Sequence, residues 1–166
     1  QGCAAEGQAL LADFQTLAAR AWTPDTALAA FNEWFSQAVG GLEQLRWKKM
    51  GKPARSGRAS DWPRATSGST RAAWQASWAS LQNFLVGTGR SLEQGSLNGY
   101  LAGENQLALS AQLETAVALL HTRMQAADPA RAASVTAAMQ ALAQAKTLLE
   151  DKVAPELKTM VGISEP

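Results

Sequence analysis

One cysteine, one histidine, one tyrosine and one isoleucine are all that 166 residues supply of those four types. Cys3 alone excludes an internal disulfide framework and a cysteine-rich zinc site. His121 alone excludes any site that draws two imidazoles from this chain, and much metal enzymology with it. No window approaches the ~18 consecutive apolar residues a membrane helix requires, so no membrane span is expected. With 46% hydrophobic and 17% charged residues, 13 Gly and 6 Pro, the chain is not collagen-like, mucin-like or wholly disordered. Its length suits one domain that buries roughly 70% of the surface its unfolded form exposes. The opening Gln1-Gly2-Cys3-Ala4-Ala5-Glu6 has no initiator Met, no basic stretch and no apolar run of signal-peptide length, which points to processing or excision. Cys3 is accordingly expected to be an ordinary free thiol rather than a lipid anchor.

Helix formers take the place of the scarce β-branched residues, and alanine fills 34 positions. Five periodic segments follow from them. Leu10, Phe14, Leu17 and Ala21 predict a helix from Ala4 to Ala21. Thr23-Pro24-Asp25 is a start signal for a second, with Leu28, Phe31, Phe35, Val39, Leu42 and Leu45 inward and a kink expected at Gly40-Gly41. Ser69 or Thr70 caps a third, with Trp74, Trp78, Leu81 and Leu85 inward and an end at Gly87 or Gly89. A short segment from Ser91 to Gly103 holds a turn or two, and the fourth helix starts near Gly103. Leu109, Leu113, Val117, Leu120 and Met124 mark the face of that fourth helix. Asp128-Pro129 caps a fifth, striped by Val135, Met139, Leu142, Leu149 and Val153, which Pro155 should weaken. From Gly51 to Ser69 the period vanishes. Loops beyond about 12 to 15 residues are uncommon in compact domains and are usually functional or disordered. The expected fold is all-α: an up-and-down antiparallel bundle of four core helices plus an extra helical segment, with a long basic loop, residues 1–166 forming a single domain.

Charge is distributed unevenly. Between Gln44 and Ala72 stand Arg46, Lys48, Lys49, Lys52, Arg55, Arg58, Arg64 and Arg71 against Asp61 alone, although the whole chain carries only +1. A basic, glycine-containing loop gathers phosphate, a haem propionate, nucleic acid or an acidic face of another domain, or simply stays solvated. The near-zero net charge speaks against nucleic acid as the partner. The candidate anion- or partner-docking residues are Lys49, Lys52, Arg55, Arg58, Trp62, Arg64, Ser67 and Ser69. Trp47 and Trp62 either stack bases or plug the loop onto the bundle, and a Trp before a Pro favours plugging. Trp34, Trp74 and Trp78 sit at helical spacing and are expected in or near the core, each indole N–H seeking a carbonyl.

Catalytic candidates are few. Ser67 and Ser69 have no base near them in sequence and suit a helix cap. His121 lies seven positions after Glu114 on one helix face, which makes these two the weak metal candidates, with Glu150 as a distant companion. Met50, Met124, Met139 and Met160 are scattered and are expected as gap fillers. GxSxG and phosphate-loop motifs are absent.

Phe31-Asn32-Glu33-Trp34-Phe35, Leu42-Glu43-Gln44-Leu45-Arg46, Lys49-Met50-Gly51-Lys52-Pro53, Trp62-Pro63-Arg64 and Ser67-Gly68-Ser69 together resemble the imelysin family, the M75 peptidase-like proteins of bacterial envelopes. In that family a helix ending in a Leu-Gly-Lys-Pro type sequence enters a long loop with a Ser-x-x-Ser or Ser-Gly-x-Ser element, from which the next helix begins. Here Met50 precedes Gly51-Lys52-Pro53. The tail Leu157-Lys158-Thr159-Met160-Val161-Gly162 is similar to the family's apolar-glycine ending. The family's Gly-x-His-x-x-Glu signature is missing, since His121 is followed by Thr122-Arg123-Met124 and preceded at two positions by Leu119. The resemblance therefore implies the C-terminal half of a two-bundle protein of the periplasm or outer membrane, associated with iron or haem uptake. It implies a non-catalytic binding module whose partner is an N-terminal bundle, from the same precursor or a separate chain. The alternative it leaves is the C-terminal half of a metallopeptidase whose metal motif lies in that other bundle. No cofactor is implied for this chain itself; iron or haem would belong to the whole protein.

Overall fold

A proline lacks an amide hydrogen and so fits a helix's first turn, and three helices of this chain begin that way. A computed structural model describes residues 2–19, 21, 23–87 and 95–157. The chain is all-α, with α1 (Gly2–Ala18), α2 (Pro24–Glu43), α3 (Lys52–Ser56), α4 (Thr70–Val86), α5 (Leu97–Gly103), α6 (Leu107–Ala126), α7 (Ala132–Leu148) and α8 (Ala154–Glu156), and no strand among the described residues. None of these helices is long and apolar enough to cross a membrane. Two compact units are present, Gln1–Glu33 and Trp34–Pro166.

In the first unit Thr23 and Thr26 cap the start of α2 reciprocally. The Thr26 hydroxyl accepts the Thr23 amide at 2.9 Å, and the Thr23 hydroxyl accepts the Thr26 amide at 3.3 Å. Leu10 and Leu11 are 57% exposed and Leu28 is 55% exposed, so Leu10 and Leu28 face solvent where an inward stripe was expected. The side chains of Phe14 and Leu17, together with Trp22, Gly89, residues 88–94 and the tail from residue 158, lie outside the described residues.

The second unit holds the core. Phe35, Val39 and Leu42 of α2, Trp74, Trp78 and Leu85 of α4, Leu113, Leu120 and Met124 of α6, and Val135 and Leu142 of α7 are all buried. Each such side chain contributes roughly 1.5–3 kcal/mol. Helix α6 packs against α4, α5 and α7. Trp34, by contrast, is exposed, which corrects its expected place near the core. Gly40 and Gly41 do not interrupt α2. Gly41 is small because Leu81 packs on it: a Cβ there would lie 2.8 Å from Leu81 Cδ2.

Two segments widen into π-helix, Gln44–Gly51 after α2 and Leu149–Val153 after α7, and each runs up to a proline. In the first, the Lys52 amide bonds back five residues to the Trp47 carbonyl. Pro53 then has no hydrogen to give the Lys49 carbonyl four residues before it. The buried Trp74 indole supplies one, Nε1 donating to Lys49 O at 3.2 Å. In the second, Pro155 does not end the helix, because the widened turn ahead of it leads straight into α8.

Trp74→Phe removes the indole donor to the Lys49 carbonyl along with part of the ring volume, and urea denaturation should show a loss of at least about 1–3 kcal/mol. Trp78→Ala, which also opens a cavity, should lose about 3–5 kcal/mol in the same measurement. Glycines give a contrasting pair. A Cβ at Gly51 meets Met139 Cε at 2.8 Å and the Arg46 carbonyl at 3.1 Å, whereas one at Gly40 meets nothing within 4 Å. Gly51→Ala should therefore destabilise by about 1–3 kcal/mol. Gly40→Ala should stabilise by about 0.5–1 kcal/mol, the two moving the thermal midpoint in opposite directions.

Candidate functional site

Five residues are few for a helix, yet α3 forms because its end is tied down locally. The Ser56 hydroxyl donates to Pro53 O at 2.8 Å and accepts the Arg58 amide at 3.2 Å, while Gly57 turns the chain left-handed at φ 66°. One 3₁₀ turn, Ala59–Asp61, follows, clamped by the Arg58 guanidinium on Asp61 Oδ2 at 2.9 and 3.1 Å. The remaining turns close on themselves, with Ser67 Oγ donating to Arg64 O at 3.1 Å and Thr70 Oγ1 to Pro63 O at 2.6 Å. Trp62 lies edge-on to buried Trp74, ring centres 5.3 Å apart at 74°, and so plugs the segment onto the bundle. The stretch expected as irregular loop is ordered by its own contacts.

The residues singled out from sequence fall at distinct places along it. Lys49 is half-buried and its Nζ donates to Ser77 Oγ at 2.9 Å. Lys52 is exposed at the head of α3. The Arg55 guanidinium lies 4.2 Å from the Trp47 ring centre, a cation–π pair that occupies both. Arg58 is held by Asp61, and exposed Arg64 takes a left-handed backbone at φ 63°, a region few non-glycine residues enter. Ser67 and Ser69 share a hydrogen bond at 2.7 Å. Ser69 occupies the N-cap position of α4 without a side-chain cap bond, which corrects the expectation that its hydroxyl caps the helix.

His121 and Glu114 are engaged separately. Trp78 Nε1 donates to His121 Nδ1 at 3.3 Å, and Gln82 meets the same nitrogen at 2.9 Å. The Gln82 atom beside Nδ1 is its carbonyl Oε1, so the imidazole tautomer decides which of the two bonds forms. Glu114 Oε1 accepts from Asn98 Nδ2 at 2.7 Å. Among the described residues no group of three His, Cys, Asp or Glu side chains is placed to hold a metal ion. Neither of two surface clefts in this unit, of 330 and 320 Å³, is lined by His, Cys, Met or Tyr. Neither cleft thus offers a side chain of the types that hold haem iron.

The 330 Å³ cleft is where the basic segment meets another part of the bundle. Trp62, Gly68, Thr70 and Arg71 form one side, and Asp128 and Pro129 from the turn before α7 form the other. Arg71 reaches across to donate from Nη2 to Gln125 O at 2.7 Å. Asp128 Oδ1 accepts the Ala130 amide at 2.9 Å, and Oδ2 accepts Arg131 Nε at 3.2 Å. The Ala130 hydrogen bond, then the charges of Arg131 and Arg71, hold its carboxyl below the ordinary value of 3.8. Sequence reasoning took Asp128-Pro129 as the cap of α7, whose N-cap is in fact Arg131. Asp128 and Arg71, 57 positions apart, line one cleft, and no sequence period betrays it.

A depressed carboxyl stabilises the fold above its unfolded value, and that contribution is lost as pH falls through the folded value. Carboxyl ¹³C titration should put the Asp128 midpoint below 3.8. Arg131→Gln and Arg71→Gln should each raise it, while stability above pH ~5 stays insensitive to Asp128 protonation.

Against known proteins, no curated protein and no solved structure matches the chain. The Imelysin model, Peptidase_M75, matches residues 1–154, and on that match the chain belongs to the imelysin family.

Proposed function

We propose that this chain is a non-catalytic helical binding module of an imelysin-family envelope protein serving iron or haem uptake, and that it works by docking on a second helical bundle. The observation that carries the reading is the uncovered apolar surface of the first unit. Leu10, Leu11 and Leu28 each leave more than half their surface in water. Exposed apolar side chains of this size are the material of which interaction sites are made. A helix bundle with its own apolar groove is the partner suited to cover them. On this reading the metal or haem is bound by the partner's residues.

Co-expression with a bundle bearing the Gly-x-His-x-x-Glu signature tests this. A stable one-to-one complex is expected, and Leu10→Asp with Leu28→Asp should weaken it by about a hundredfold or more while the free chain keeps its helical circular dichroism. Failure of the two bundles to associate overturns the docking. Chelator-sensitive cleavage of an unfolded protein by the reconstituted pair overturns the non-catalytic part.

A further inference from the structure

The 330 Å³ cleft presents both signs of charge to one small volume, beside an indole. Arg71 spends one N–H on Gln125 O, out of the five that a guanidinium carries. Asp128 accepts two hydrogen bonds, leaving about half the lone-pair capacity of a carboxylate. Trp62 is fixed by its edge contact with Trp74, so its ring is a rigid apolar wall rather than a mobile side chain. A simple anion meets Arg71 but is repelled by Asp128, and a simple cation meets the reverse. A ligand with both charges satisfies both, and a cleft this size sits at the small end of the range of about 300–1,000 Å³ for ligand pockets.

We propose that this cleft binds a zwitterionic ligand of the amino-acid or dipeptide class, with its carboxylate on Arg71, its ammonium on Asp128 and its apolar side chain against Trp62. The arrangement is charge selection by a matched pair: each residue admits one end of the ligand and rejects molecules that carry only the other sign. It goes beyond the docking reading and does not depend on it, because none of its three residues lies in the first unit.

The test uses L-leucine and glycyl-leucine as probes, with leucinamide and N-acetyl-leucine as analogues that each lack one charge. Binding is followed by the Trp62 indole resonance in ¹H–¹⁵N spectra and by calorimetry. Leucine or glycyl-leucine should shift that resonance with a millimolar or tighter Kd, and both analogues should bind at least about tenfold more weakly. Arg71→Gln should remove the preference for the free carboxylate, and Asp128→Asn the preference for the free amine. Trp62→Leu should weaken the leucine probes but not change the charge selectivity. No shift with either probe at millimolar concentration overturns the proposal. So does equal binding of N-acetyl-leucine, which marks an anion site, or of leucinamide, which marks a cation site. A shift that survives both charge-removing variants likewise overturns it.

Discussion

The hydrogen bond from the Trp74 indole to the Lys49 carbonyl, one turn before Pro53, is the directional contact on which the packing of the basic segment rests. An unpaired buried polar group costs about 1–3 kcal/mol, so the Lys49 carbonyl has to be met from outside its own helix. Trp74, deep in the core, meets it. That single bond fixes the end of the first π-helical segment to α4. It also fixes the orientation of the Trp74 ring, against which Trp62 packs at 74°. One turn later on the same helix, Trp78 gives its indole hydrogen to His121 on α6. Two tryptophans four residues apart thus tie α4 to two different neighbours through directional bonds, over and above the area they bury.

The cations of the basic segment are arranged to order it. Arg46 takes Glu43 at 2.6 Å and Arg58 takes Asp61 at 2.9 Å, the two ion pairs this segment makes. Arg55 lies on an aromatic ring, Lys49 bonds a serine hydroxyl and Arg71 a backbone carbonyl. These partners are neutral, so the contacts position the charges without cancelling them, and the segment keeps a positive field. Exposed ion pairs such as Arg58–Asp61 are individually worth little. Their effect here is conformational, since each closes a turn three residues long.

Most of the architecture was legible because it rests on period. The buried faces of α4, α6 and α7 carry the residues that 3.6-residue spacing selects, from Trp74 and Trp78 to Val117, Met124 and Leu142. What spacing cannot convey is which side of a helix has something to lie against, and Leu28 and Trp34 are exposed for that reason. Nor does Gly-Lys-Pro announce a π-helical turn, because its consequence, an orphan carbonyl, is answered by a residue 25 positions away. Ser69 shows the competition between local choices. Its hydroxyl has Ser67 at 2.7 Å, and α4 starts without that cap. At the cleft the same limit applies: Trp62 and Arg71 are visible as an aromatic and a cation, whereas Asp128 comes from the turn that follows α6 in the chain.

Order in the segment from Lys52 to Ser69 bears on what it does. A disordered basic loop would lose conformational freedom on meeting a partner, at about 1–2 kcal/mol for each residue fixed. Here Gly57, the Ser56 hydroxyl, the Arg58–Asp61 clamp and the Trp62 edge contact have already removed that freedom in the free chain. Whatever meets the exposed Lys52 and Arg64 meets charges at fixed positions, so the binding energy is not spent on ordering the loop. Selectivity follows from the same rigidity. A fixed set of charges discriminates among partners by geometry, where a flexible one responds chiefly to total charge, and the folded segment with its residual positive field is suited to the first task.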